Sequence, residues 1–218
     1  MSSANVVKPT WWLIMLLSVA IAGYALFHVA TGFANVPPPV LDNANLKPFG
    51  IEVHITASAF AMLTGAFQFN KTLRNRARTF HRWLGRIYVA ACLVGGTAGA
   101  AIAMGSTAGP VAGSGFLSLA VLWVLFTAMA WTSAMRKDFT SHERWMIRSF
   151  ALTFAAVTLR LQLPLAGTLG AAGVIPSDFV WSYRWIAWLA WVPNLIVAEL
   201  FIASLRKPKR SAPAAAAA

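Results

Sequence analysis

The chain has 218 residues, of which 58% are hydrophobic and only 11% are charged, and its mean hydropathy is +0.64. Soluble domains carry about a quarter charged residues, so this composition excludes an ordinary soluble domain and predicts an integral membrane protein. A formal net charge of +12 would indicate a nucleic-acid partner in a soluble protein. Here the cations lie in short segments between apolar runs, so we predict a lipid bilayer as the partner and no nucleic acid.

Six apolar runs are each long enough to cross a bilayer, which takes about 20 helical residues. The first begins at Trp11 and Trp12, whose rings are typical of a membrane interface, and it ends at Phe33. The other five lie at about residues 51–69, 83–104, 116–135, 145–165 and 180–205. We therefore predict an all-α polytopic membrane protein with six transmembrane helices, in which helices 2–5 form a central four-helix bundle and helices 1 and 6 flank it.

Polar segments connect the predicted helices. Residues 34–49 contain the triplet Pro37–Pro39, which cannot continue a helix and favours a semi-rigid extended loop. Residues 70–82 and 136–144 are basic and lack a helical repeat of apolar residues, so both are predicted to be loops.

The predicted domain organisation is simple. Residues 1–205 form a single transmembrane domain, and residues 206–218 form a basic, disordered tail of low complexity. Within the sixth helix, Pro193 and Asn194 are expected to produce a kink.

The distribution of cations predicts the orientation. Six spans place both termini on one side, and 15 of the 18 lysines and arginines fall on that side; the exceptions are Lys47, Arg160 and Arg184. The positive-inside rule then predicts a protein of the bacterial inner membrane with both termini in the cytoplasm.

A short motif occurs twice in the chain. Residues 81–86 read HRWLGR and residues 142–148 read HERWMIR, each at the predicted cytoplasmic start of a helix. Each copy has a histidine, then Arg-Trp, then an arginine three residues after the tryptophan. We interpret this as a duplicated hairpin, although tryptophan and arginine are also common at interfaces.

The four histidines all lie near predicted membrane boundaries. His28 and His54 are near the periplasmic side, and His81 and His142 are near the cytoplasmic side. Two histidine pairs are typical of a transmembrane b-type cytochrome, in which neutral imidazoles ligate haem iron. We favour His81 and His142 as ligands, with His54 and then His28 at the other side, where consecutive helices leave less room. Each histidine also has an ordinary interpretation as an interface residue.

Arginines near the second pair could meet haem propionates; those considered are Arg82, Arg86, Arg144 and Arg148. Polar or small residues recur with helical spacing on the second helix (His54, Ser58, Ala61, Gly65, Gln68) and on the third (His81, Gly85, Tyr88, Cys92, Gly95 or Gly96, Gly99). Such stripes favour close helix packing or make room for a flat cofactor.

Ionisable residues inside the spans predict two polar sites. Arg160 lies well inside the fifth helix, and a buried cation in a membrane normally has a partner. At its depth, Glu52 and His54 are the expected partners. Nearer the cytoplasm, Glu199 is expected to approach His81 or His142. Either site is suited to a quinone headgroup, a proton or a cofactor, whereas the alternative for Arg160 is a structural ion pair.

Several segments resemble a known family. They are the start of the second span at His54, FHRWLGRIY at residues 80–88, and HERWMIRSFALT at residues 142–153 leading to Leu159 and Arg160. These resemble a bacterial family of membrane proteins whose function is not assigned, over about residues 50–165. The resemblance implies that His54, His81, His142, Arg148 and Arg160 are motif positions.

The layout is also broadly similar to cytochrome b561-type bundles. The four-histidine pattern that those proteins carry on their central helices is not matched, since His28 is the only candidate for the fourth ligand and lies on the first helix.

We therefore predict a membrane protein with a haem b- or quinone-linked role in electron transfer, or an accessory of respiratory-chain proteins. The alternative is a small-solute or proton-coupled transporter that uses Arg160, or a structural subunit of a membrane complex. The sequence contains no phosphate-binding glycine loop and no nucleophile with an evident base.

Overall fold

The computed structural model describes residues 4–33 and 47–205, and for residues 4–10 and 71 it describes the backbone alone. The expected proline-rich loop and the expected tail at residues 206–218 fall largely outside these ranges. Nine helices account for nearly all of the described chain. They are α1 (Ala4–Ala30), α2 (Pro48–Gln68), α3 (Lys71–Arg76), α4 (Arg78–Ala103), α5 (Gly109–Met135), α6 (Phe139–Thr153), α7 (Ala155–Ala171), α8 (Phe179–Leu189) and α9 (Val192–Leu205).

Six stretches of these helices are long and apolar enough to span a membrane. The first four are α1, α2, α4 and α5; α6 with α7 makes the fifth, and α8 with α9 makes the sixth. In the bundle, α2 packs on α4, α4 on α5, and α5 on α6, while α6 also touches α2 and closes the ring. Helix α1 packs against α2, whereas α8 and α9 pack against α5 and α6. The predicted central four-helix bundle with two flanking helices is confirmed.

The two basic segments are more helical than predicted. Asn70 accepts a hydrogen bond from the backbone N–H of Leu73 and starts α3, and Asp138 accepts one from Ser141 and starts α6. Asn and Asp are strong helix N-caps because they satisfy N–H groups that lack an intrahelical partner. The prediction of loops was wrong because it used charge and ignored these caps. We call the end of the bundle that carries α3 and the turn at residues 136–138 the basic end.

Small residues bring α2, α4 and α5 close together. A Cβ atom at Gly65 would lie 2.6 Å from the ring of Tyr88, and one at Gly96 would lie 2.5 Å from Val124. A Cβ atom at Gly95 would lie 3.2 Å from the Oγ atom of Ser58. The stripes of small residues therefore serve mainly as contact surfaces between helices, in agreement with the first of their two interpretations.

Hydroxyl groups form a buried network at the centre of the bundle. The hydroxyl of Tyr88 lies 2.7 Å from that of Ser149 and 3.0 Å from that of Thr153, and Ser149 lies 2.7 Å from Thr127. Trp123 donates its indole N–H to Thr153 at 2.9 Å. Because polar groups without partners are costly in an apolar interior, this network fixes the register of α4, α5 and α6.

The sixth span is interrupted between α8 and α9, which confirms the kink expected at Pro193. Proline has no N–H to donate to the carbonyl four residues earlier, which here is that of Leu189. The side-chain N–H of Gln162 on α7 donates to this carbonyl at 3.1 Å. Asn194 donates to Thr158 at 2.9 Å and ties the same two spans together. The break in the fifth span, at Phe154, was not predicted.

Candidate functional site

A cavity of about 300 Å³ lies in the half of the bundle away from the basic end, and all six spans contribute to its lining. Most of the lining side chains are apolar. Polar or ionisable side chains in the lining include Tyr24, His28, His54, Ser58, Arg160 and Tyr183. A concave apolar site with a few polar groups is the usual form of a small-molecule site.

Among the described residues that line the cavity, Arg160 is the only lysine or arginine. Its Nη1 atom donates to the carbonyl of Ala156, one turn earlier, at 3.1 Å, and its guanidinium lies 6.0 Å from the ring centroid of Tyr24. Within the described ranges, ion pairs join Arg74 to Glu143 and Arg148 to Glu199, and Arg160 forms none. Its charge is thus balanced neither by Glu52 nor by any other carboxylate that the structure places.

The expected pairing of Arg160 with Glu52 was therefore wrong. Glu52 is exposed and lies on an outward-facing groove beside Phe49 and Val53. It is only two residues from His54, and in a helix residues two apart point to nearly opposite faces. Since His54 faces the cavity, Glu52 has to face away from it.

His54 is held by a neighbouring backbone. Its Nδ1 atom lies 2.8 Å from the carbonyl oxygen of Gly95 on α4. A Cβ atom at Gly99 would lie only 2.8 Å from the same Nδ1 atom, so this glycine makes room for the ring. Because a carbonyl can only accept, Nδ1 carries the hydrogen, and Nε2 is left as the accepting nitrogen.

His28 shares this cavity. It is 7% exposed, and its Nδ1 atom has no hydrogen-bond partner among the described residues. The rings of Tyr24 and Phe27 contact it edge-on at 4.4 and 5.7 Å between centroids. The Oγ atom of Ser58 is also buried without a described partner. The sequence argument considered the space between two consecutive helices, whereas the structure places His28 in a cavity formed by six spans.

The histidines of the basic end lie in different surroundings, and neither lines the cavity. The Nδ1 atom of His142 lies 2.8 Å from the carbonyl oxygen of Ala130. The Nδ1 atom of His81 is buried and has no partner within the described ranges. The two rings are close enough to interact electrostatically.

Glu199 pairs with Arg148 rather than approaching His81 or His142 as predicted. Arg148 donates to both carboxylate oxygens, through Nε and, at 2.8 Å, through Nη2. Its guanidinium also lies 4.6 Å from the ring of Trp145, and that of Arg86 lies 4.9 Å from the ring of Trp83. The repeated motif thus forms the same arginine–tryptophan contact in both copies. The role of Arg86 and Arg148 as partners of a haem propionate stays a prediction.

Sequence reasoning missed the two tyrosines of the cavity. Tyr24 precedes His28 by one turn and could have been found from that spacing. Tyr183 is brought to the cavity by α8 across the bundle, and no local pattern reveals such a contact.

The region that forms most of this site has recognisable relatives. Residues 51–202 match the family described as "Predicted membrane protein (DUF2306)". The chain belongs to this family. The resemblance predicted from the motifs is confirmed, and the DUF2306 match includes His54, Arg160 and Tyr183 but begins after Tyr24 and His28. No curated protein and no solved structure matches the chain, and the likeness to cytochrome b561-type bundles stays a prediction.

Proposed function

We propose that this DUF2306 protein binds a quinone headgroup in the cavity and takes part in electron transfer within the membrane. The observation that carries the proposal is the guanidinium of Arg160, which faces a cavity inside the bilayer without a carboxylate partner in the described part of the chain. An arginine in a span costs several kcal/mol unless it is partnered. We take its missing partner to be an oxygen of the ligand.

The polar groups match both redox forms of a quinone. A quinone carbonyl accepts hydrogen bonds, and the Arg160 guanidinium donates them. A quinol hydroxyl donates one, and the Nε2 atom of His54 is free to accept it because Nδ1 is bound to Gly95. The surrounding wall, which includes Met62, Leu119 and Trp123, suits the ring and the start of an apolar tail.

The same side chains are also of the types that hold haem b, which would supply a one-electron centre when bound. A histidine that ligates a metal usually donates its other ring N–H to a carbonyl or carboxylate, as His54 does to Gly95. His28 would provide the second imidazole, and Arg160 a donor for a propionate. His81 and His142, the pair favoured from the sequence, do not line this cavity.

Binding of a short-chain quinone to the purified protein tests the proposal. Trp123 lines the cavity, so a bound quinone is expected to quench tryptophan fluorescence. Replacing Arg160 by Gln removes a charged donor worth about 1.5–3 kcal/mol, and we expect at least tenfold weaker binding. The matched control is Arg184→Gln, since Arg184 lies on the neighbouring span but does not line the cavity. Equal affinities in the two variants would reject the proposal.

An absorption spectrum of protein expressed with ample haem separates the two ligands. A reducible Soret band that is lost in His54→Ala or His28→Ala assigns haem to the cavity. A colourless protein that still binds quinone would support a quinone site without haem.

A solute carrier is the second candidate function. It is favoured because the interruptions of the fifth and sixth spans both border the cavity, at Thr153, Ala155 and Ala190. Interrupted helices beside a mid-membrane site are typical of secondary transporters. Uptake of small anions into vesicles, lost in Arg160→Gln and kept in Arg184→Gln, would support this function instead.

A further inference from the structure

Three polar side chains converge at the basic end of the bundle, each from a different helix. Gln68 of α2 is 8% exposed and lies beside Gly85 of α4, where an added Cβ atom would be 3.4 Å from the Gln68 Oε1 atom. His81 lies one turn before Gly85, on the same face of α4. His142 of α6 interacts electrostatically with His81.

Two of these side chains have a hydrogen-bonding atom that is not used within the described chain. The Nε2 atom of Gln68 and the Nδ1 atom of His81 are both buried without a partner among the described residues. A buried polar group left in this state costs about 1–3 kcal/mol. His142 donates through Nδ1 to the carbonyl of Ala130, so its ring keeps only the accepting Nε2 atom. The cluster therefore offers the buried amide N–H group of Gln68 and the imidazole of His81 to a ligand.

The charge around the cluster selects the kind of ligand. Arg74 and Arg82 both interact electrostatically with His81. The carboxylate of Glu143 lies 4.0 Å from Arg74 at the exposed surface. Within the described ranges, no three histidine, cysteine, aspartate or glutamate side chains gather as a metal site would require. Positive surroundings together with N–H donors favour an anion over a metal ion.

We propose that Gln68 and His81 form a second site, which binds a phosphate-type oxyanion at the basic end. Neither residue lines the quinone cavity, so a test of this site does not depend on the proposed function. The oxyanion comes either from the headgroup of an anionic lipid, which basic segments at a membrane surface attract, or from inorganic phosphate. Arg74 and Arg82 supply the general attraction, whereas Gln68 and His81 supply directed hydrogen bonds.

Thermal unfolding of the full-length protein, followed by tryptophan fluorescence, tests this site. One arm compares detergent micelles doped with phosphatidylglycerol or phosphatidylcholine. The other compares sodium phosphate with sodium chloride at equal ionic strength. We expect phosphatidylglycerol, phosphate or both to raise Tm in a saturable way, since a ligand that binds only the folded state stabilises it. The arm that responds identifies the source of the oxyanion.

A variant pair separates the site from the general basic surface. Gln68→Met keeps the volume of the side chain and removes its N–H donors, and we expect about tenfold weaker apparent affinity for the ligand that raised Tm. Arg86→Gln removes an exposed cation at the same end and should change the affinity less than twofold. His81→Phe serves as the second test if Gln68→Met does not fold. The proposal is overturned if no ligand shifts Tm, or if Gln68→Met or His81→Phe responds like the wild type.

Discussion

His54 and Gly95 are joined by a hydrogen bond of 2.8 Å from an imidazole N–H on α2 to a backbone carbonyl on α4. Carbonyls within a helix normally accept from the N–H four residues later, so this bond is additional and exists only because the two helices approach closely. It fixes the ring orientation and leaves Nε2 to the cavity. The geometry of the candidate site therefore depends on how α2 and α4 pack.

Substitution of Gly99 by Ala is expected to disturb this site from the neighbouring helix. The new Cβ atom would lie 2.8 Å from His54 Nδ1, so the ring has to move and the bond to Gly95 is lost. We expect at least fivefold weaker binding of a short-chain quinone, or loss of the Soret band if haem is bound. Gly23→Ala is the control, because nothing lies within 4 Å of its added Cβ atom. Unchanged binding in Gly99→Ala would show that the ring orientation does not matter.

Much of this arrangement follows from the sequence. Length and hydropathy predict the spans, and helical spacing places His54, Ser58 and Gly65 on one inward stripe. Depth along the helices correctly brings Arg160 and His54 into one site. Depth does not report the angular position of a residue around its helix, and for this reason Glu52 was wrongly chosen as a partner.

The contacts that could not be predicted depend on the packing of distant spans. Arg148 pairs with Glu199 across 51 positions of sequence, and Tyr183 reaches the cavity from the sixth span. A single sequence gives the order of the helices and the depth of each side chain, whereas such pairs also require the rotation of each helix and its neighbours.

Gln162 and Pro193 should be energetically coupled. Gln162 donates to the Leu189 carbonyl that Pro193 leaves without its usual partner. We expect Gln162→Leu to destabilise the protein by about 1–2 kcal/mol, because a carbonyl within a membrane-spanning segment then lacks a donor. In a Pro193→Ala background the restored helical N–H occupies that carbonyl, so the same substitution should cost less than half as much. A double-mutant cycle of unfolding free energies measures the coupling, and additive effects would refute it.

The N-cap of α6 predicts a dependence of local stability on pH. The side-chain hydroxyl and the backbone N–H of Ser141 lower the pKa of Asp138. The pKa of Asp138 is therefore lower in the folded state than in the unfolded state. The stabilisation that this N-cap gives to α6 is fully present above the ordinary aspartate pKa of about 4. It is lost as the pH falls through the pKa that Asp138 has in the folded state.

Amide hydrogen exchange in the first turn of α6 measures this effect. Protection in the wild type should fall below about pH 4 relative to Asp138→Asn, whose amide oxygen still accepts from Ser141 but does not titrate in this range. Parallel pH profiles in the two proteins would contradict the assignment.

The orientation of the bundle is open to a direct test. We expect both termini to be cytoplasmic, because 15 of the 18 lysines and arginines fall on one side of six spans in the sequence. A C-terminal alkaline phosphatase fusion should then be inactive, and a C-terminal green fluorescent protein fusion should fluoresce. A fusion after Gly173, between the fifth and sixth spans, should give the reverse result. An active phosphatase at the C-terminus would invert the assignment.

Photolabelling with an azido-quinone tests the central claim most directly, because it reports where the ligand binds. The account predicts that peptides of α2, α5 and α7 carry the label at residues that line the cavity, such as Met62, Leu119 and Leu163. Excess unlabelled quinone should remove this label, and Arg160→Gln should reduce it at least tenfold while Arg184→Gln should not. Label confined to the outward-facing groove at Phe60 and Ile87, or label indifferent to Arg160→Gln, would contradict the account.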